Sequence, residues 1–190
     1  MARQYELKRR AERQDETRQR IVDATIQLHQ SIGPAATTVT DIARRAGVGR
    51  VTVYRHFPDE PTLARACSGQ YFAQHPFPDL SGWAAVRDPV ERTDAAIREA
   101  YAYHAANEAM FSRTLANARE HPVMAPYHQY WASAADTLMA GRRLRGRART
   151  LKQARVAIAL SFDTWRALAR EQELPDRRCV EVALQLAGDQ

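Results

Sequence analysis

The spacing of apolar residues is the feature that most constrains how this chain can fold. Along almost its whole length apolar residues recur at intervals of three or four, as they do on one face of an α-helix. One such series is Ile21, Thr25, Leu28 and Ile32, and Gly33-Pro34 follows it as a helix stop signal. The sequence shows no sustained period-two alternation of β-branched residues and no Asn-Gly or Asp-Gly turn. The spacing therefore predicts an all-α protein of about nine helices.

The composition changes along the chain and predicts three parts. Residues 1–14 form a densely charged N-terminal arm, and residues 15–61 hold three short helices. Residues 62–190 hold longer helices, with a loop predicted over 75–87 because Pro and Gly are frequent there. A chain of 190 residues with 45% hydrophobic content is large enough to bury more than one core.

The three short helices carry the most specific pattern in the sequence. The second follows Thr38, a good N-cap, and the turn Gly47-Val48-Gly49 separates it from the third. That third helix runs from about Arg50 to Phe57, where Pro58 stops it. Two short helices joined by a tight turn containing Gly are typical of a helix-turn-helix, whose second helix enters the DNA major groove.

The faces of the third helix predict which side chains reach DNA. If Val53 and Phe57 are the buried i, i+4 pair, a 100° step per residue turns Val51, Thr52 and Arg55 outward. Arg50 lies at the N-terminal tip, where a guanidinium can make two hydrogen bonds to guanine. The predicted DNA-contacting residues are Thr38, Thr40, Arg50, Val51, Thr52, Tyr54, Arg55 and His56.

The residues in and around this pattern resemble the N-terminal DNA-binding domain of TetR-type transcriptional regulators. The resemblance is carried by residues 17–24, Gly33, 37–48 and 52–57, about a quarter of the chain. It implies an all-α, two-fold symmetric dimer that binds a palindromic operator. It also implies a C-terminal domain that binds a small effector and forms the dimer interface, so that effector binding releases a repressor from its operator.

Aromatic and histidine side chains are concentrated in residues 101–165 and predict an effector pocket. Such pockets are mostly apolar and contain a few polar groups that orient the ligand. An ordinary helical core is the alternative interpretation of the same residues. The candidate ligand-binding residues are Tyr101, His104, Phe111, Tyr127, His128, Trp131, Phe162 and Trp165.

Two apolar stripes on the last two predicted helices, 148–170 and 175–187, predict how two copies associate. Two such helices from each subunit can bury their stripes in a four-helix bundle, which places the recognition helices about 34 Å or more apart. The predicted interface residues are Ile158, Phe162, Trp165, Val180, Ala183, Leu184 and Ala187.

The charge distribution agrees with a DNA-binding N-terminal region. The formal net charge is +6, and residues 1–66 contribute +4 of it, with 12 basic and 8 acidic residues. A second group of arginines lies at 142–149, and it predicts either a solvated interhelical loop or a contact with an anionic effector or the DNA backbone.

Other function classes have little support in the sequence. Gly141 and Gly146 have the spacing of a phosphate-binding loop, but Arg147-Ala148 stand where Lys-Ser or Lys-Thr is needed. His121 and His128 lack further metal ligands, and no nucleophile-and-base signature is present. We therefore expect no enzyme activity, metal or cofactor. No apolar run is long enough to span a membrane, and we expect a cytoplasmic protein. A DNA-binding protein whose C-terminal domain only dimerises or recruits a protein partner remains the alternative.

Overall fold

The computed structural model describes residues 2–119 and 121–189, which contain eleven α-helices and no β-strand. The all-α prediction is confirmed, and the number of helices exceeds the predicted nine by two. A 3₁₀ turn covers Pro122–Met124, and a π-helical turn covers Ala167–Glu171. The helices are α1 (Ala2–Ile32), α2 (Val39–Ala46), α3 (Arg50–His56), α4 (Glu60–Gln74), α5 (Leu80–Ala85), α6 (Pro89–Ala106), α7 (Glu108–Ala118), α8 (Ala125–Met139), α9 (Gly146–Ala159), α10 (Phe162–Arg166) and α11 (Asp176–Ala187).

The two additional helices arise from capping interactions. The segment predicted as a loop over 75–87 contains α5, where Asp79 accepts a hydrogen bond from the Ser81 N–H (2.9 Å) and Trp83 is buried. The helix predicted over 148–170 is broken at Ser161, whose hydroxyl accepts from the Thr164 N–H (3.1 Å) and starts α10. The apolar period continues across this break, so spacing alone predicted one helix.

Tertiary contacts divide the described residues into two compact units. Unit 1 contains the residues up to Pro76 together with 109–123, and unit 2 contains 77–108 together with the residues from Met124 onward. The helix α4 thus belongs to unit 1, although the domain boundary was predicted after residue 61. The helix α7 begins in unit 2 at Glu108 and continues in unit 1. The predicted arm 1–14 is the start of α1, apart from Met1, which lies outside the described residues.

In unit 1, α1 supports both helices of the helix-turn-helix. Ile21 and Leu28 on α1 are buried, as are Ile42 and Ala46 on α2. The α2 N-terminus is capped by Thr38, as predicted, because its hydroxyl accepts a hydrogen bond from the Asp41 N–H (3.2 Å). These contacts fix the position from which α3 projects.

The turn between α2 and α3 requires glycine at one position. Gly47 ends α2 in the left-handed region (φ 66°), with its N–H bonded to the Arg44 carbonyl and the Val48 N–H bonded to the Ala43 carbonyl. This is a Schellman ending, in which a residue with a Cβ is strained. By contrast, Gly69 lies within α4 and an added Cβ there meets no atom within 4 Å.

We expect opposite effects from Gly47→Ala and Gly69→Ala on the free energy of unfolding. Alanine at Gly47 should destabilise the protein by about 1–2 kcal/mol because it must adopt a positive φ. Alanine at Gly69 should stabilise it by about 0.5–1 kcal/mol through its higher helix propensity. Urea unfolding measures both, and equal effects of the two substitutions would contradict this assignment of the turn.

In unit 2, the side chain of Arg142, the first arginine of the 142–149 group, is 10% exposed and hydrogen-bonded, which corrects the prediction of a solvated loop for that residue. Arg142 makes two hydrogen bonds to the Asp189 carboxylate (2.7 and 2.5 Å) and one to the Pro89 carbonyl (2.8 Å). Burial raises the pKa of Asp189, but hydrogen bonds from Arg142 and Lys152 outweigh it and hold that pKa below its usual value. Arg142 is therefore a structural residue, whereas Arg143 and Arg145 are exposed.

Candidate DNA interface and effector site

The helix α3 presents one buried and one exposed face. Val53 and Phe57 are 1% and 2% exposed, so the predicted anchoring pair packs into unit 1. On the other face Val51 is 81% exposed and Tyr54 is 48% exposed. Large apolar side chains left in solvent on a short helix are typical of a contact surface.

The predicted DNA-contacting residues on α3 largely share this exposed face. Arg50 and Arg55 are exposed together with Val51 and Tyr54, while Thr52 is half-buried. The exposed set thus combines two guanidinium groups with an aliphatic and an aromatic side chain. This composition suits phosphates, guanine edges and thymine methyl groups.

The position of α3 also depends on Arg18, which the sequence analysis did not select. Its guanidinium carbon lies 4.3 Å from the centroid of the Phe57 ring, a cation–π contact between α1 and the residue that ends α3. Arg18 lies in residues 17–24, which carry part of the family resemblance. The spacing of residues along the sequence does not show that its side chain contacts Phe57, 39 positions later.

His56, one of the predicted DNA-contacting residues, is half-buried at the end of α3. Its Nε2 atom is shielded from solvent and has no hydrogen-bond partner. Burial lowers the pKa of His56, and the charges of Arg55 and Arg18 lower it further. In the protein without DNA this imidazole is therefore mostly neutral at pH 7.

Thr38 and Thr40 lie at the start of α2, where both are exposed. The Thr38 hydroxyl is already engaged, since it accepts from the Asp41 N–H and donates to the Asp41 carboxylate (2.5 Å). That hydrogen bond, with a contribution from Arg44, lowers the pKa of Asp41. Thr38 is thus a helix cap, and the role of both threonines in DNA binding stays a prediction.

In unit 2, most of the predicted effector-binding residues form one aromatic cluster around His104. This side chain is 0% exposed. Its ring centroid lies 4.8 Å from that of Trp131 and 5.6 Å from that of Phe162. The ring centroids of Tyr101 and Trp165 each lie 6.2 Å from that of His104. The cluster also includes Tyr103 and Tyr127, each 6.2 Å from Trp131; Tyr103 was not predicted.

The two remaining predicted effector-binding residues are Phe111 and His128. Phe111 belongs to unit 1, where it is buried and its ring centroid lies 6.4 Å from that of Tyr71. His128 is exposed, and its ring centroid lies 5.4 Å from that of Tyr127.

The cluster contains two buried polar atoms that lack hydrogen-bond partners, Nδ1 of His104 and Nε1 of Trp131. The Nε2 atom of His104 lies 2.9 Å from the Leu160 carbonyl oxygen, which can only accept. Nε2 therefore carries the proton, and Nδ1 presents a lone pair. Burial lowers the pKa of His104 to about 4, opposed by the Leu160 carbonyl and by Asp163. The imidazole is neutral at physiological pH.

We expect the free energy of unfolding to decrease as the pH decreases, because His104 is buried in its neutral form. Its pKa is below that of an unfolded histidine, so the unfolded state binds the extra proton between pH 6.5 and 4, and stability is lost as pH falls through that window. From pH 7 to pH 5 the loss should be about 2 kcal/mol. His104→Gln, which can still donate to the Leu160 carbonyl, should reduce this pH dependence. Urea unfolding at several pH values and one protein concentration measures it. The same pH dependence in the variant and the original protein would contradict the role of His104.

The predicted dimer-interface residues are mostly buried inside the chain. Phe162, Trp165, Val180, Ala183 and Ala187 are each at most 5% exposed, so they have almost no surface left for a partner. Their stripes face the core of unit 2, and we remove them from the candidate interface. The large apolar residues of α9 and α11 that do face solvent are Leu151, Ile158 and Leu186, of which Leu151 and Ile158 lie on the predicted stripe of residues 148–170.

A shallow groove of about 290 Å³ lies among these exposed residues. It is lined by Arg155, Ile158, Val182, Gln185 and Leu186, from α9 and α11. Arg155 donates to the carbonyls of Leu186 (2.8 Å) and Gln185 (3.1 Å), which ties the two helices together at its edge.

The described residues contain neither a membrane-spanning helix nor a group of metal ligands. No helix among residues 2–119 and 121–189 is both long and apolar enough to cross a membrane. Within the same residues, no three His, Cys, Asp or Glu side chains are grouped as metal ligands.

Comparison with known proteins identifies the N-terminal region most specifically. Residues 21–67 match the model of a family described as bacterial regulatory proteins, tetR family. The HTH-type transcriptional regulator SrpR of Pseudomonas putida is 39% identical over 80 residues, which are 38% of this chain and 37% of SrpR. The chain thus spans little more than a third of the length of this relative.

Solved structures resemble the chain over most of its length. A TetR-like transcriptional regulator from Rhodococcus sp. RHA1 has a TM-score of 0.62 at 16% identity, covering 90% of this chain and 93% of that one. FadR from Bacillus subtilis, solved with stearoyl-CoA, has a TM-score of 0.61 at 14% identity, covering 89% and 96%. At these identities the likeness establishes the fold.

The matched proteins described above are transcriptional regulators, in agreement with the expectation that the chain is not an enzyme. The family match covers α2, α3 and the parts of α1 and α4 that hold them. Residues 21–67 are therefore a helix-turn-helix DNA-binding region of the tetR family type, and the whole chain has the fold of a solved TetR-like regulator.

Proposed function

We propose that this protein is a cytoplasmic repressor that binds a palindromic operator as a homodimer and releases it when a small molecule binds in unit 2. The observation that carries the proposal is the exposed face of α3. Arg50, Val51, Tyr54 and Arg55 face solvent on a helix that Val53 anchors. A rigid helix with an exposed reading face is what major-groove recognition needs.

The purified protein, titrated against DNA that neighbours its gene, tests this function. We expect binding that survives excess non-specific competitor DNA and weakens as salt rises, because phosphate contacts release counterions. A footprint of two related half-sites is expected for a two-fold symmetric dimer. Binding no tighter than that to unrelated DNA at 100 to 200 mM salt would contradict the proposal.

The exposed groove on α9 and α11 is the surface that we assign to the dimer. Leu151, Ile158 and Leu186 are 53%, 56% and 40% exposed, which is unusual for large aliphatic side chains on a monomer. The two helices from each of two subunits form a four-helix bundle that buries this surface. Of the residues predicted from sequence, Ile158 and the half-buried Leu184 remain candidates for it.

The aromatic cluster around His104 is the part of unit 2 that we assign to the effector. It is apolar, buried and contains unpaired polar atoms, as ligand sites do. FadR, which has this fold, was solved with stearoyl-CoA. A ligand about 100-fold selective for the conformation that does not bind DNA supplies about 2.7 kcal/mol, and operator DNA must weaken ligand binding by the same factor.

The helix α7 is our proposed route from effector to DNA-binding domain. It starts at Glu108 in unit 2, where Arg170 binds the Glu108 carboxylate through two nitrogens (2.9 and 2.7 Å). It continues in unit 1, where the Arg113 Nε donates to the Gln30 carbonyl at the end of α1 (2.9 Å). The helix α1 that receives this hydrogen bond also packs on α2.

A regulator without an effector is the second candidate, because the cluster is closely packed and His104 is fully buried. In that case unit 2 serves only for dimerisation or for binding a protein partner. A thermal-shift screen followed by DNA titration separates the two. Ligands that stabilise the protein and release the operator support the first, and ligands that stabilise it without altering DNA affinity support the second.

A further inference from the structure

We propose that His104 and Trp131 bind the hydroxyl group of a neutral phenol or alcohol, which is the effector class of this protein. The inference rests on the effector site proposed above and specifies its chemistry. Its basis is the pair of unpartnered atoms, Nδ1 of His104 and Nε1 of Trp131, in adjacent rings whose centroids are 4.8 Å apart. Each such buried atom is costly without a partner.

The hydrogen-bonding character of the two atoms specifies the group between them. His104 uses its Nε2–H on the Leu160 carbonyl, so Nδ1 can only accept, and the Trp131 indole N–H can only donate. A hydroxyl group accepts from the indole and donates to the imidazole through one oxygen. Two hydrogen bonds of about 2.9 Å to one oxygen require the two nitrogens to lie no more than about 5.8 Å apart in the bound state.

The charges around the cluster disfavour an ionised ligand. A carboxylate or phosphate would face the Nδ1 lone pair and the negative charge of Asp163, which acts on His104. Arg170 lies 5.2 Å from the Trp165 ring centroid, but Glu108 already neutralises it. An ammonium group can donate to Nδ1 but cannot accept from Trp131. The ligand group is therefore neutral.

The surrounding rings favour an aromatic molecule of small size. Tyr101, Phe162 and Trp165 have centroids within 6.2 Å of His104 in tilted or edge-on arrangements, the geometries in which a further aromatic ring packs well. His104 is fully buried, whereas Trp131 is half-buried on α8. Binding of a phenol ring here requires Trp131, the more exposed of the two rings, to move outward.

Phenol and toluene are the matched probes, since they have similar size and differ in the hydroxyl group. Titration of the full chain, followed by the NMR signals of the tryptophan indole N–H groups, measures both affinities. We expect phenol to shift the Trp131 signal and to bind at least about tenfold more tightly than toluene. The indole of Trp83, which donates to Glu99 (2.7 Å), serves as an internal reference that stays unshifted.

Two variants test the individual hydrogen bonds. W131F keeps an aromatic ring but lacks the N–H, and its binding is followed on the indole signal of Trp165 in the same cluster. H104F keeps a ring of similar size but has no acceptor for the ligand hydroxyl. In either variant the preference for phenol over toluene should fall to about threefold or less. An unchanged Trp83 signal shows that the variant is folded.

Each outcome bears on the site or on its role. Equal affinity for phenol and toluene would overturn the proposal, because the cluster would then be an apolar cavity only. Binding of neither, with Trp131 unshifted, would overturn it too, leaving a packed core or a bound water. Tighter binding of phenol than of toluene supports the hydroxyl site. If phenol then leaves operator affinity unchanged, the hydroxyl site is supported but the proposed release of the operator by an effector is wrong.

Discussion

Replacing Ile158 by glutamate should convert the protein to a monomer and weaken operator binding by about a thousandfold. Ile158 is 56% exposed on α9 and lines the groove shared with α11, so the change adds a charge to the proposed interface without opening the core. A dimer engages its second half-site at high effective concentration, which contributes about 10² to 10⁴ in affinity. Sedimentation and fluorescence anisotropy with operator DNA measure the two effects.

Ile158→Leu is the matched control because it retains the apolar surface. It should remain a dimer with affinity within about threefold of the original protein, since volume-conserving apolar exchanges cost little. Leu186→Glu, on the facing helix α11, should reproduce the glutamate result. A wild-type monomer at micromolar concentration, or a dimeric Ile158→Glu protein, would show that this groove is not the interface.

Replacing Arg50 by alanine should have the second largest effect, on specificity as well as affinity. Loss of a bidentate contact to guanine costs about 1–3 kcal/mol in each half-site, and the dimer has two. Affinity for the operator should fall by about 30-fold or more, and preference at one base pair per half-site should disappear. Anisotropy titrations against operators altered at single positions measure this.

Arg87→Ala is the control for a general loss of charge, because Arg87 is exposed in the segment between α5 and α6 and was not predicted to contact DNA. It should leave operator affinity unchanged. If Arg50→Ala weakens all DNA sequences equally, Arg50 contacts phosphate instead of a base, and the base-reading role passes to other residues of α3.

The helix-turn-helix could be predicted closely because local chemistry determines it. Thr38 caps α2, Gly47 ends it, and Val53 with Phe57 anchors α3, all as the sequence indicated. Each of these features depends on neighbours within a few positions. The break at Ser161 was missed because its cap competes with an apolar period that continues through it.

The sites in unit 2 depend on long-range contacts, and spacing predicts those poorly. An apolar stripe shows that a helix face is buried, but not whether its own chain or a partner covers it. The stripe through Val180 and Ala183 is covered by the chain itself, while Ile158 faces outward. Likewise, His104 and Trp131 come from α6 and α8, and nothing local indicates that their rings meet.

Methylation interference at guanine N7 on a selected operator tests most directly that two copies of α3 read the DNA. The method reports which guanines must be free of methyl groups for the protein to bind. We predict interference at guanines placed symmetrically in two half-sites whose centres lie about one helical turn or more apart, and loss of that signal at one guanine per half-site with Arg50→Ala. An asymmetric pattern, or one that Arg50→Ala leaves unchanged, would contradict recognition of the operator by α3 in a two-fold dimer.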